Sequence, residues 1–155
     1  MSEWLRWFLV RDAVVVMVTI GVWSIGELST SLEIVRGALI GLCALLFHEY
    51  GHLLGAKLSS ATVQPAPLWS PFIFNVSVDT NNKEQLLTTS YAGFLATGIF
   101  LVAFWQLLPL DRLAGQVGFA IAVLLASLTV LIEFPIAWRI ARGYSVPDLT
   151  IFTRQ

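Results

Sequence analysis

Thiol chemistry is nearly absent from this sequence. Cys43 is its one cysteine, set in the apolar run Ala38–Phe47, so no intrachain disulfide can form and the redox compartment leaves no mark; a core position is expected for it. Charge is scarce as well. Asp, Glu, Lys and Arg make up 12% of the 155 residues and nearly cancel to a net charge of -1, which removes the clustered basic surface that nucleic-acid phosphates require. Histidine occurs only at His48 and His52. Residues four apart project from one face of a helix, so these two cannot grip opposite sides of a haem iron. Internal repeats and low-complexity tracts are missing too, leaving residues 1–155 to be read as one domain.

What is present is apolar sequence, at 57% of residues with a mean hydropathy of +0.78, far outside the composition of a soluble domain. It is gathered into four blocks, residues 7–26, 34–56, 86–108 and 113–140, each near the ~20 residues that cross a bilayer as a helix. The expectation is an all-α polytopic membrane protein of about four spans in contact with the lipid bilayer. The first block is interrupted by Arg11 and Asp12; without a small-residue cleavage site after Ala13–Ile25 it reads as a retained span and not a signal peptide. Placing the N-terminus in the cytoplasm puts Arg6, Arg11, Lys57, Lys83, Arg139, Arg142 and Arg154 at the inner side and leaves Arg36 and Arg112 outside, so both termini are expected to be cytoplasmic. Trp4, Trp7, Trp23, Trp105 and Trp138 fall near span ends, where indoles prefer the interface.

Between the second and third blocks, Leu58–Gln85 is too polar to span, and Pro65, Pro67 and Pro71 forbid a regular helix. Within it, Phe72–Val78 alternates as a strand would, with Phe72, Phe74, Val76 and Val78 on one face and Asn75 and Ser77 on the other. Its edge is a candidate dock for an extended peptide, which makes Phe74 and Val76 candidate substrate-binding residues.

The chemistry lies in the second block. In His48-Glu49-Tyr50-Gly51-His52 the two imidazoles sit one helical turn apart and can converge on a single Zn²⁺, with Glu49 beside them. Three ionisable side chains within five residues of a span are costly without a shared partner such as a cation. A catalytic zinc site needs a third protein ligand and an open position. Zinc lowers the pKa of water towards ~7, and Glu49 as base takes the proton during attack on a carbonyl and passes it to the leaving amine.

The string Phe47-His48-Glu49-Tyr50-Gly51-His52-Leu53, followed by Gly55-Ala56-Lys57-Leu58 and the strand-like loop, resembles the site-2 protease family of intramembrane zinc metalloproteases. Tyr91-Ala92-Gly93-Phe94 is similar to that family's Ala-Gly-Pro-x-x-Asn signature, and the likeness covers about residues 34–140. The resemblance implies hydrolysis of peptide bonds in transmembrane protein substrates. Phe94 stands where the family has Pro, and Thr97 where it has Asn, so Thr97 takes the candidate role toward substrate. The family's downstream Asn-Pro...Asp-Gly motif, which supplies the third ligand, is absent.

Depth selects a replacement. Asp111 lies 19 residues beyond Ala92, roughly 28 Å along the third span and hence at the far side. Glu133, about one and a half turns before Arg139, matches the depth of His48 and His52 ahead of Lys57, and Pro135 opens the helix beside it. Asp148, which follows Pro147, is the alternative if the C-terminal segment folds back. The competing functional class is a non-catalytic membrane subunit of a larger complex that keeps the motif without the reaction.

Overall fold

The protein is described here from a computed structural model covering residues 3–26 and 29–143. Four helices run along the four apolar blocks: α1 (Glu3–Ser24), α2 (Thr30–Leu58), α3 (Lys83–Leu107) and α4 (Leu113–Ala141). The last three are long and apolar enough to cross a membrane. Asp12 in α1 is buried, with Arg11 and Tyr50 as its partners, so the charges that interrupt the first block face the protein.

Small residues explain why α2 occupies the centre of the bundle. A Cβ on Gly51 would lie 2.5 Å from that of Ala96, and one on Gly55 2.6 Å from that of Ala92, so α3 approaches the C-terminal half of α2 closely. The N-terminal half is matched in the same way to α4, where Gly37 lies under Val117 and Gly41 under Ile121. Close backbone approach of this kind maximises dispersion contacts between the helices.

Two features fix the relative depth of the helices. Asn82 and Gln85 close a reciprocal capping box at the start of α3, each side chain accepting the other's backbone N–H at 2.9 Å. Lys83 Nζ then donates to the carbonyl of Ala141 at 2.6 Å, and Gln85 Nε2 to that of Ser60 at 2.9 Å. The end of α2, the start of α3 and the end of α4 therefore lie together. Counted from that end, His52 is six residues into α2 and Glu133 eight residues into α4, about 9 and 12 Å deep.

α4 is not a uniform α-helix. Thr129–Glu133 forms a π turn, with Phe134 N–H reaching the carbonyl of Thr129 five residues back. Pro135 has no N–H to offer and its ring crowds the carbonyl of Leu131, so a widened turn ahead of it relieves the conflict. The extra residue rotates Glu133 relative to the preceding helix.

Between α2 and α3 the chain forms a two-stranded antiparallel sheet, β1 (Val63–Pro65) and β2 (Phe74–Val76), pairing Val63 with Val76 and Pro65 with Phe74. The strand is shorter than the alternation in Phe72–Val78 suggests. Phe72 and Val78 are exposed, not on the inner face, because Phe72 belongs to a turn in which its N–H is held by Ser70 Oγ. Ile73, on the face assigned to polar residues, is fully buried with Phe8, Ala56, Ala66 and Phe74. Cys43 is half-buried, its thiol 3.4 Å from Thr19 Oγ1.

Candidate metal centre

His48 and His52 project from α2 toward the π turn of α4. Their Nε2 atoms are 3.0 Å apart, and the Glu133 carboxylate straddles them, Oε1 lying 3.2 Å from His48 Nε2 and Oε2 3.2 Å from His52 Nε2. The rings stand nearly perpendicular, at 86°. These three residues could hold a metal ion.

The other ring nitrogens determine what the Nε2 atoms can offer. His52 Nδ1 lies 2.9 Å from the backbone carbonyl of Thr89, which can only accept, so Nδ1 carries the hydrogen. His48 Nδ1 lies 2.8 Å from Thr97 Oγ1, and that hydroxyl directs its own hydrogen to the carbonyl of Gly93 at 3.1 Å. Thr97 therefore accepts from His48, and again Nδ1 carries the hydrogen. In its neutral form each imidazole then turns a bare Nε2 lone pair toward the other and toward a carboxylate. A shared proton can bridge one such pair; a metal cation satisfies all three donors together. Fixing the ring through its far nitrogen is also how metal-binding histidines are oriented.

Room for the His52 ring depends on Gly93 of α3. A Cβ there would lie 2.5 Å from His52 Nδ1 and closer still to Cε1 and Nε2. The cluster is unevenly covered: side-chain exposure is 7% for His48 and 15% for His52 but 36% for Glu133, so access is from the α4 side.

Glu49 is buried on the same helix, with Oε2 accepting the backbone N–H of Ile73 at 3.2 Å. Oε1 has no hydrogen-bonding partner among the described residues. The two carboxylates therefore differ. Glu133 is committed to the histidines through both oxygens, and Glu49 keeps one oxygen unengaged.

The structure thus brings His48, His52 and Glu133 together with Glu49 alongside. Thr97 is buried, with its hydroxyl engaged by His48 Nδ1 and the Gly93 carbonyl, an arrangement that orients the histidine. The Phe74 side chain lies in the core beside Ile73 with its backbone in the strand, and Val76 is half-buried. Asp111 lies at the far end of the bundle, on a cavity of 970 Å³ that is also lined by Trp23, Glu33, Arg36 and Arg112. Asp148 falls outside the described residues. Sequence reasoning missed the Thr89 carbonyl, the Ile73 amide and the role of Gly93; of these only Gly93 left a trace, in the string Tyr91-Ala92-Gly93-Phe94.

Fold and site together define a helical bundle with three apolar helices of membrane-crossing length around a candidate metal centre. Comparison with protein-family models, with curated proteins and with solved structures found no match.

Proposed function

We propose that the protein is an intramembrane zinc metallopeptidase of site-2 protease type, with Zn²⁺ held by His48, His52 and Glu133 and with Glu49 as general base. The observation that carries this reading is the convergence of the two His Nε2 atoms, 3.0 Å apart, on the Glu133 carboxylate, which lies 3.2 Å from one nitrogen through Oε1 and 3.2 Å from the other through Oε2. Donors bound at ~2.0–2.1 Å to a tetrahedral ion stand about 3.3 Å from one another, close to the spacing found. Two imidazoles and a carboxylate are also a donor set of catalytic zinc sites, which leave one position open.

When bound, the ion supplies Lewis acidity, lowering the pKa of water towards ~7. The chain's own residues do the rest. Glu49 takes the proton of the attacking water on its unengaged oxygen and returns it to the leaving amine nitrogen, while the Ile73 amide keeps the other oxygen in place. A helical substrate must unwind to present a carbonyl, and the edge of β2 that is unpaired among the described residues offers backbone partners to the extended strand that results. On this reading α1 to α4 all cross the bilayer, both termini are cytoplasmic and the site lies near the cytoplasmic face, with transmembrane proteins as substrates.

The test is Glu49→Gln. Retained zinc with loss of hydrolysis of a membrane-spanning peptide supports the reading. Zinc-loaded wild type that cleaves no such peptide favours the other class, a non-catalytic subunit of a membrane complex, for which the unmatched downstream motif speaks.

A further inference from the structure

The segment joining β1 to β2 returns along the bundle, where Leu68, Trp69, Ser70 and Pro71 share a cavity wall with Leu42 and Leu46 of α2, residues that precede His48 in the chain. Helix α2 ends at Leu58, 12 residues beyond Leu46, so the segment folds back about 18 Å from that end. On the membrane reading this is irregular backbone at hydrocarbon depth, which persists only where protein satisfies its polar groups. Arg11 of α1 does so. Its NH1 donates to the carbonyls of Leu68 at 3.1 Å and Ser70 at 2.7 Å. Nε donates to Asp12 Oδ1 at 2.7 Å, and the other oxygen of Asp12 accepts from Tyr50 OH at 2.8 Å. Tyr50 is the neighbour of Glu49 on α2.

Among the described residues, the returning segment, residues 66–73, has hydrogen bonds to the rest of the protein at two places only. Arg11 holds Leu68 and Ser70; Glu49 holds Ile73. Ile73 is therefore anchored at one side to the carboxylate and, three residues earlier, to α1. We propose that Arg11 is a positioning residue for Glu49, with the Arg11–Asp12–Tyr50 chain coupling α1 to the returning segment and, through the Ile73 amide, to the base. The proposal rests on the reading of Glu49 as that base. Arg11 touches neither the metal ligands nor the reacting atoms. Its loss frees the segment, moves the Ile73 amide and leaves Glu49 without its one fixed partner.

The test joins a readout without substrate to one with it. In a Cys43→Ser background, Ile73→Cys or Ala66→Cys places a thiol on the buried side of the segment, where Ile73 is 0% and Ala66 7% exposed. Arg11→Gln is expected to raise maleimide alkylation of either thiol by about tenfold or more, as local opening exposes it, with Arg11→Lys close to wild type. The pair Arg11→Gln with Asp12→Asn guards against an orphaned buried carboxylate and is expected to behave as Arg11→Gln does. Zinc content stays unchanged in all of them. Where the wild type hydrolyses a peptide, kcat falls by on the order of 10²-fold with KM nearly constant, the cost of a displacement of about 1 Å at a reacting group, and Arg11→Lys restores most of it. Unchanged alkylation in Arg11→Gln and in its pair with Asp12→Asn overturns the proposal, as does an unchanged kcat despite faster alkylation, or loss of zinc along with activity. Wild type that cleaves nothing counts against the protease reading alone, because the alkylation rates need no substrate.

Discussion

Gly93→Ala tests the metal centre from a residue that ligates nothing. The new methyl would lie 2.5 Å from His52 Nδ1 and closer to two further ring atoms, where ordinary contact begins at 3.4 Å. The ring must therefore shift by at least about 1 Å, five times the ±0.2 Å that metal–ligand distances tolerate. Sliding is opposed by the Thr89 carbonyl on Nδ1, so the shift removes either that bond or the aim of Nε2. Misaiming a ligand through its supports costs 10- to 100-fold in metal affinity, and displacing it costs more, so a fall of about 100-fold or greater is expected, near 2.7 kcal/mol. The fold has a compensating gain, because alanine replaces glycine within a helix at a benefit of about 1 kcal/mol. Competition with a chromogenic zinc chelator on detergent-solubilised protein reads the affinity, and far-ultraviolet circular dichroism reads the helices. Gly98→Ala is the control: five residues along the same helix, its added methyl meets nothing within 4 Å and zinc binding should match wild type. Wild-type zinc affinity in Gly93→Ala, with helices intact, would refute the placement of His52 against α3.

Three further outcomes follow from the same geometry. Thr97→Val keeps the volume but removes the acceptor of His48 Nδ1, and zinc affinity measured by the same competition should fall 10- to 100-fold. Glu133→Ala removes the carboxylate that faces both histidines, so metal analysis of the purified variant should find zinc lost; full retention of zinc and activity would take Glu133 out of the site. Glu49→Gln should retain zinc at one ion per chain while peptide hydrolysis falls below detection in a cleavage assay.

The parts of this fold that announce themselves in the sequence are those set by composition over whole turns. Apolar blocks mark the helices because each block must run about 20 residues before it can cross a bilayer, and no other element needs such length. His48 and His52 declare a shared face because four residues make one turn. Glu133 is reachable by counting depth from the charged ends, since helices give 1.5 Å per residue with little error. What stays hidden depends on contacts between distant segments. Nothing near Gly93 signals that it must clear the His52 ring, nor near Thr89 that its carbonyl fixes a tautomer. The alternation in Phe72–Val78 misleads for the same reason. Ile73 is drawn into the core by Phe8 of α1, 65 residues earlier, and its amide is taken by Glu49, so tertiary contacts override the local period.

A common pattern links the ionisable groups of the interior. Arg36 is engaged by Glu33 and by the carbonyls of Val22 in α1 and Ile25 just beyond it, and the second oxygen of Glu33 accepts the Ala114 amide at 3.3 Å. Asp12 divides its oxygens between Arg11 and Tyr50, and Glu133 divides its own between the histidines. Each of these carboxylates has both oxygens occupied, as burial requires of a group whose desolvation is otherwise uncompensated. Among the described residues Glu49 breaks the pattern, with a single backbone N–H on Oε2. A buried carboxylate with an idle oxygen is disfavoured in a structural role, because the same position filled by an apolar side chain would leave nothing unsatisfied. On the peptidase reading proposed above, the free oxygen beside the two histidines is the proton acceptor, held in place through Oε2 by the Ile73 amide.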